Sequence, residues 1–264
     1  SNGIIEEFML ICNETVAAHM SKAKLPCVFR VHEKPDMTRI DRLSEILTLM
    51  GVEFEPSKDM KPKDFQRVLE SVADTERFDV VNYLVLRTMS KAKYSEKNEG
   101  HFGLATANYC HFTSPIRRYP DLAIHRILSE MLLGASASQL QKDFNEFAQQ
   151  ASEKSSKQEV AAVRIERDVE DLYKAEYMHN HLGEVYTGTV AGITPRGVFV
   201  ELDNTVEGFV PAAQLCKGEP QVIDGVSMLD PLTGKSWMLG SSMKIRVAAA
   251  DVALGRIDFE YMVE

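Results

Sequence analysis

Apolar residues recur at helical spacing through Ile5, Phe8, Met9, Cys12, Val16 and Met20, which predicts an amphipathic helix over residues 4–20. The stretch "LPCVFRVHEKPD" then alternates between Pro26 and Pro35 and reads as an extended connector. Asp36 or Thr38 is placed to cap a helix through "RIDRLSEILTLM", with Gly51 to end it. Helices are also expected after Pro62, in "KDFQRVLESVA", and in "RFDVVNYLVLRTM", ending near Ser90. Residues 94–121 keep no period: Gly100, Gly103, two prolines and five aromatics interrupt it, as in segments where sites are built. Helix resumes from about Pro115 to Leu133, and two more follow, the second from about Ser152 to His179.

Near Leu182 the period changes from helical to alternating. "GEVYTGTVAGITPRGVFVELDNTVEGFVPAAQL" and "SSMKIRVAAADVALGRIDFEYMV" hold short β-branched runs separated by turn residues. Five short strands in about eighty residues fit a small closed barrel of the OB type. The expectation is an α+β chain of two domains, a mainly helical one over 1–181 and a five-stranded barrel over 182–264.

Composition narrows the class without naming a function. The chain has 264 residues, a 44% hydrophobic fraction and a net charge of -9. No apolar run is long enough to cross a membrane, and no basic leader opens the chain. Ser1-Asn2 reads as a cloning remnant, with residues expected upstream. Cys12, Cys27, Cys110 and Cys216 form no paired spacing, which suggests free thiols and a cytoplasmic setting. Both parts are acidic, the barrel with 6 basic against 11 acidic residues. Binding of nucleic acid by bulk charge is thereby disfavoured, whereas a local basic groove remains open.

One stretch stands out chemically: "HFTSPIRRYPDLAIHRI" sets Arg117 and Arg118 at an expected helix start. Ser114 would cap that helix, with Pro115 at its first position. Two arginines there oppose the helix dipole unless they meet an anion, and a guanidinium fork suits phosphate. The plain alternative is a salt bridge to Asp121 or to a carboxylate on another helix. Phe102, Tyr109, His111, Phe112 and Tyr119 interleave with the cations, as a single-strand channel requires, although rings on irregular segments are more often core. Asp168 with Asp171, and Asp224 with Asp230, read as solvated pairs, poor candidates for a magnesium cage. His179 and His181 read as surface residues.

"HFGLATANYCHFTSPIRRYPDLAIHRIL" closely resembles the signature of the ribonuclease II/R (RNB) family of 3′→5′ exoribonucleases. "IIEEFMLICNETVA" and "FRVHEKPD" resemble two further motifs of that family, in its order, and residues 183–215 resemble its closing S1-type RNA-binding barrel. The resemblance implies the C-terminal part of a processive, magnesium-dependent hydrolase of single-stranded RNA that releases 5′-nucleotides. By match, Arg117 is the catalytic arginine at the scissile phosphate. Arg118, Ser114, Tyr119, Tyr109 and Phe112 would line or support the strand's path, and Glu6 or Glu7 would help read ribose. In the barrel, Phe199 and Phe209 would stack on bases, with Arg196, Lys244 and Arg246 at phosphates; one phenylalanine could instead be core. The family's upstream aspartate cluster has no counterpart here, so no metal site is expected and the chain alone is expected to be inactive. The alternative is an RNA-binding or scaffold module without nuclease chemistry. Neither reading implies a membrane or DNA in particular.

Overall fold

The first helix already divides its apolar residues in two. In the computed structural model, which describes residues 2–75 and 77–263, α1 spans Asn2–Lys22. It buries Asn13, Ala17 and Met20, while Ile4, Ile5, Phe8 and Ile11 are each more than half exposed. The continuous apolar face expected from Ile5 onward therefore holds only for the later turns. Ser1, read as a cloning remnant, lies outside the described residues.

The fold forms two compact units, 1–161 and 162–264. In the first, β1 (Phe29–Val31) pairs antiparallel with β2 (Lys93–Ser95), which sets Arg30 opposite Tyr94. Between them lie α2 (Met37–Leu49), α3 (Pro62–Ser71) and α4 (Phe78–Thr88). Asp36 caps α2 by accepting the Thr38 N–H at 2.7 Å, and Pro62 opens α3, where a missing N–H costs nothing. Gly51, just past the end of α2, takes φ +70°. Ala17, Met20, Val28, Val31, Ile124 and Leu140 bring α1, β1 and two later helices into one core.

Those later helices correct the sequence reading twice. α5 spans Tyr119–Leu132, four residues later than expected, because Pro120 cannot sit inside a helix begun at Pro115. There it would lack the N–H owed to the Ile116 carbonyl, and its ring would strike that group. At the second position of α5 neither cost arises. The two helices expected beyond Leu133 are one, α6, of 43 residues from Ala137 to His179. It contains no glycine or proline, and its serines bond within the helix: Ser152 Oγ donates to the Ala148 carbonyl and Ser156 Oγ to that of Ser152.

The second unit holds a closed five-stranded barrel, as expected. Its strands are β3 (Val185–Thr194), β4 (Gly197–Leu202), β5 (Glu207–Pro211), β9 (Ser242–Asp251) and β10 (Arg256–Tyr261), in the order β10-β5-β4-β3-β9. Val198, Val200, Val210, Ile245, Val247 and Phe259 fill it. A single turn, α7 (Ala212–Leu215), follows β5. A three-stranded sheet of β6 (Gln221–Ile223), β7 (Ser227–Leu229) and β8 (Ser236–Met238) precedes β9. That sheet was not anticipated, its strands being only three residues each. Gly208 on β5 is obligatory for packing: a Cβ there would lie 2.5 Å from the Phe259 ring.

Candidate functional site

Ser114 begins the arginine segment, heading a turn rather than capping a helix. Its carbonyl accepts the N–H groups of Arg117 (3.3 Å) and Arg118 (3.0 Å), and the chain then extends at Arg118 (φ -125°, ψ 115°), the true N-cap of α5. The expected placement of both arginines in a first helical turn is thereby corrected.

The two arginines have different fates. Arg118 donates through Nε (3.2 Å) and Nη2 (2.8 Å) to Oδ2 of Asp121, a fully buried residue. For Arg118 the salt-bridge alternative therefore holds. Arg117 is exposed, and its side chain has no partner among the described residues.

A third arginine completes the local field. Arg30 lies 4.6 Å from the centroid of the Tyr94 ring across the β1–β2 pair and donates to Glu159 at 2.7 Å. Burial, then Arg118, Arg30, His101 and Arg117, push the His111 imidazole down to about 3. His111 is therefore neutral at pH 7, and it shares a 2.9 Å hydrogen bond with the Tyr94 hydroxyl. Burial, helped by His32 and Arg30, likewise lowers His101 to about 4. Arg118 and Arg30 each have a carboxylate partner, so the positive charge left to the site belongs to Arg117. A local basic spot thus exists in an acidic chain.

The surrounding rings separate into core and surface. Tyr109 is buried and its hydroxyl accepts from Asn13 Nδ2 at 3.2 Å; Phe102 is buried against Phe65. Neither ring is open to a base, which corrects the expectation for Tyr109. Phe112 is half-buried, with one face covered by His125 at 3.9 Å and 4°. Its N–H donates to Asn13 Oδ1 (3.0 Å), and its carbonyl accepts from His125 Nε2 (3.0 Å). Tyr119 is exposed at the start of α5, and Glu6 and Glu7 are exposed in the early turns of α1.

Sequence reading gave no role to Asn13, Arg30, Tyr94 or Glu159. Arg30 lay within a quoted motif. Glu159 is one acid among many on α6, with no local signal to distinguish it.

On the barrel, Phe199 and Phe209 are direct cross-strand partners, both half-buried on the outer face, with centroids 5.1 Å apart. Neither fills the barrel. They line an open cleft of about 690 Å³ with Arg196, Arg256, Glu207 and Asp258. Burial, then the Glu201 and Asp171 carboxylates, raise the Glu207 carboxyl. Lys244 and Arg246 do not join this group: β9 is separated from β4 by β3 and from β5 by β10. Arg246 is also paired with Glu260 at 3.3 Å.

Magnesium does not fit the residues present. Among the described residues no three metal-ligating side chains converge. Asp168 and Asp171 are exposed. Asp230, read as solvated, is instead wholly buried, accepting from the N–H groups of Lys217, Gly218 and Leu232 and from the Thr233 hydroxyl. These bonds, with Thr233 foremost, hold its carboxyl down at about 2. It braces the loop after α7. Among the described residues no helix is long and apolar enough to cross a membrane.

An RNB domain model matches residues 1–134, and an S1 RNA binding domain model matches residues 181–228. Ribonuclease R 1 of Lactococcus lactis is 40% identical over 98% of this chain and 32% of its own length. Ribonuclease R of Aquifex aeolicus is 40% identical over 97% of the chain and 36% of its own. The chain thus spans about a third of these relatives. Mycoplasma genitalium RNase R, solved in complex with ribose methylated single-stranded RNA, shares the fold with a TM-score of 0.88 at 22% identity, over 98% of this chain and 41% of that one.

Proposed function

This chain belongs to the RNB-domain family and carries an S1 RNA binding domain; from that premise we propose that it is the phosphate-contacting and strand-holding part of a processive 3′→5′ exoribonuclease that releases 5′-nucleoside monophosphates. The observation that carries the reading is the division of the arginine pair. Arg118 is committed to a buried carboxylate, whereas Arg117 projects from the same turn with its charge unspent.

In phosphoryl transfer, negative charge spreads over the non-bridging oxygens, and a preorganised donor aimed at them lowers the barrier. Arg117 supplies a planar, permanently charged fork for those oxygens. The neutral imidazole of His111 adds no competing charge beside it. Tyr119 offers its exposed ring to a base of the strand, and the half-buried Phe112 lies beside the turn as a second candidate contact. The Phe199–Phe209 pair gives the S1 barrel a stacking platform, with Arg196 at its edge. Magnesium, for which the described residues offer no ligand set, would supply charge neutralisation and an activated water.

The test has two arms. With labelled single-stranded RNA and magnesium, the chain alone should release no mononucleotide above an Arg117→Ala control; metal-dependent release would refute its inactivity. In the full-length protein, Arg117→Lys should slow single-turnover cleavage about a hundred- to thousandfold, roughly 2.7–4 kcal/mol, and weaken binding far less, because the lysine loses the planar fork but keeps the charge at the phosphate. Losses confined to binding would favour an RNA-holding module without nuclease chemistry.

A further inference from the structure

We infer that Asp121 is a positioning residue that presents Arg117 by restraining both ends of the turn that carries it; the inference rests on the reading of Arg117 as a phosphate contact. Asp121 is completely buried, so it touches no strand itself. Its Oδ2 accepts three N–H groups: the backbone of Ser114 at 2.8 Å, and Nε and Nη2 of Arg118 at 3.2 and 2.8 Å.

Those donors sit at the two ends of one turn. Between them lie Pro115, Ile116 and Arg117, and the last two are exposed. An acid serving only the start of α5 needs a single backbone donor near the helix dipole. Asp121 instead spans from the first residue of the turn to the last.

The arrangement also has a cost. Oδ1 of Asp121 is buried with no hydrogen-bond partner, in a residue whose other oxygen takes three. Buried polar atoms are nearly always satisfied, and one left over marks a place where geometry outweighs stability. Here that geometry holds one arginine in and leaves the next one out. Adjacent arginines would otherwise compete for the same carboxylate and the same phosphate.

A double-mutant cycle tests this on the intact chain. The affinity of a fluorescein-labelled adenosine pentaribonucleotide is measured for the parent, Asp121→Asn, Arg117→Ala and the double variant, with circular dichroism confirming each fold. Energetic coupling between the two sites reads their dependence, and any independent contribution from the barrel cancels. Asp121→Asn should weaken binding about five- to tenfold in the parent and by less than about twofold when Arg117 is already gone. Equal losses in both backgrounds would overturn the inference and leave Asp121 a merely structural acid. No loss for Arg117→Ala alone would overturn the phosphate reading itself, and this inference with it. Should Asp121→Asn not fold, Arg118→Gln removes two of the three donors and enters the same cycle with the same expected outcomes. Arg118→Lys, which keeps the charge, should recover part of the loss.

Discussion

The arginine turn and the outer face of the barrel present similar chemistry, rings and cations, on opposite kinds of backbone. In the turn, side chains from distant segments hold irregular chain in place. Asn13 reaches Tyr109 and Phe112, 96 and 99 residues away, and Asp121 ties Ser114 to Arg118. On the barrel, Phe199 and Phe209 owe their position to ladder register alone. The first site is therefore as stable as a few buried polar bonds, whereas the second inherits the stability of a closed sheet.

Asn13→Ala should break this contrast most visibly. It leaves the Phe112 N–H and the Tyr109 hydroxyl without their partner, at a cost of about 2–4 kcal/mol. Urea unfolding followed by circular dichroism should show an earlier helical transition. The fluorescence of Trp237, the single tryptophan, which lies on β8, should report an unchanged midpoint in the second unit. Equal shifts in both signals would mean that the two regions are not energetically separate.

Phe199→Ala and Phe209→Ala should each cost about 1–3 kcal/mol in binding single-stranded RNA, with the barrel's stability nearly unchanged because both rings are half-buried. A variant that unfolds would identify its ring as core and dissolve the comparison.

Acid sharpens it further. His101 and His111 have folded pKa values of about 4 and 3, below the usual 6.5, so below pH 6.5 the unfolded chain binds more protons. Their stabilising contribution is complete above about pH 6.5 and is lost as pH falls toward those values. In the second unit, Asp230, just after β7, titrates at about 2 against about 3.9 unfolded, so its contribution survives until pH falls below about 4. Helical melting should therefore weaken between pH 6.5 and 4 while the Trp237 transition holds. His111→Gln should flatten the helical dependence. A Trp237 transition that weakens first would reverse the assignment.

The smallest effect concerns the other barrel cations. Lys244→Gln should lower the slope of log affinity against log salt by about 0.7 if it meets one phosphate, and the Glu260-paired Arg246→Gln by less. Equal changes would show that the ion pair opens on binding.

This difference also explains what could be read in advance. Alternation in "GVFV" and "EGFVP" foretold the strands, and only the register showed that both phenylalanines face outward. Helical periodicity placed α2, α3 and α4 nearly to their ends, with a cap marking the start of α2 and a proline that of α3. It failed at α5, where Pro120 overrode an equally plausible Ser-Pro start, and at α6, where two expected helices are one. The RNB signature singled out Arg117, yet the sequence left the salt bridge to Asp121 as an open alternative. Asn13, Arg30 and Glu159 act through contacts 96 to 129 residues apart, which no local pattern encodes.

Gly208 carries this separation into the interpretation of genetic variation. Every missense change at a glycine codon adds a side chain, and here its first carbon would collide with Phe259 in the barrel's centre. In a mutational survey scored by RNA binding, position 208 should therefore register as a severe loss beside Phe209, without Gly208 itself presenting a side chain to RNA. Abundance measured for each variant would place it with Phe259 and Val210, among the positions that decide whether a barrel exists, rather than with the residues that use it.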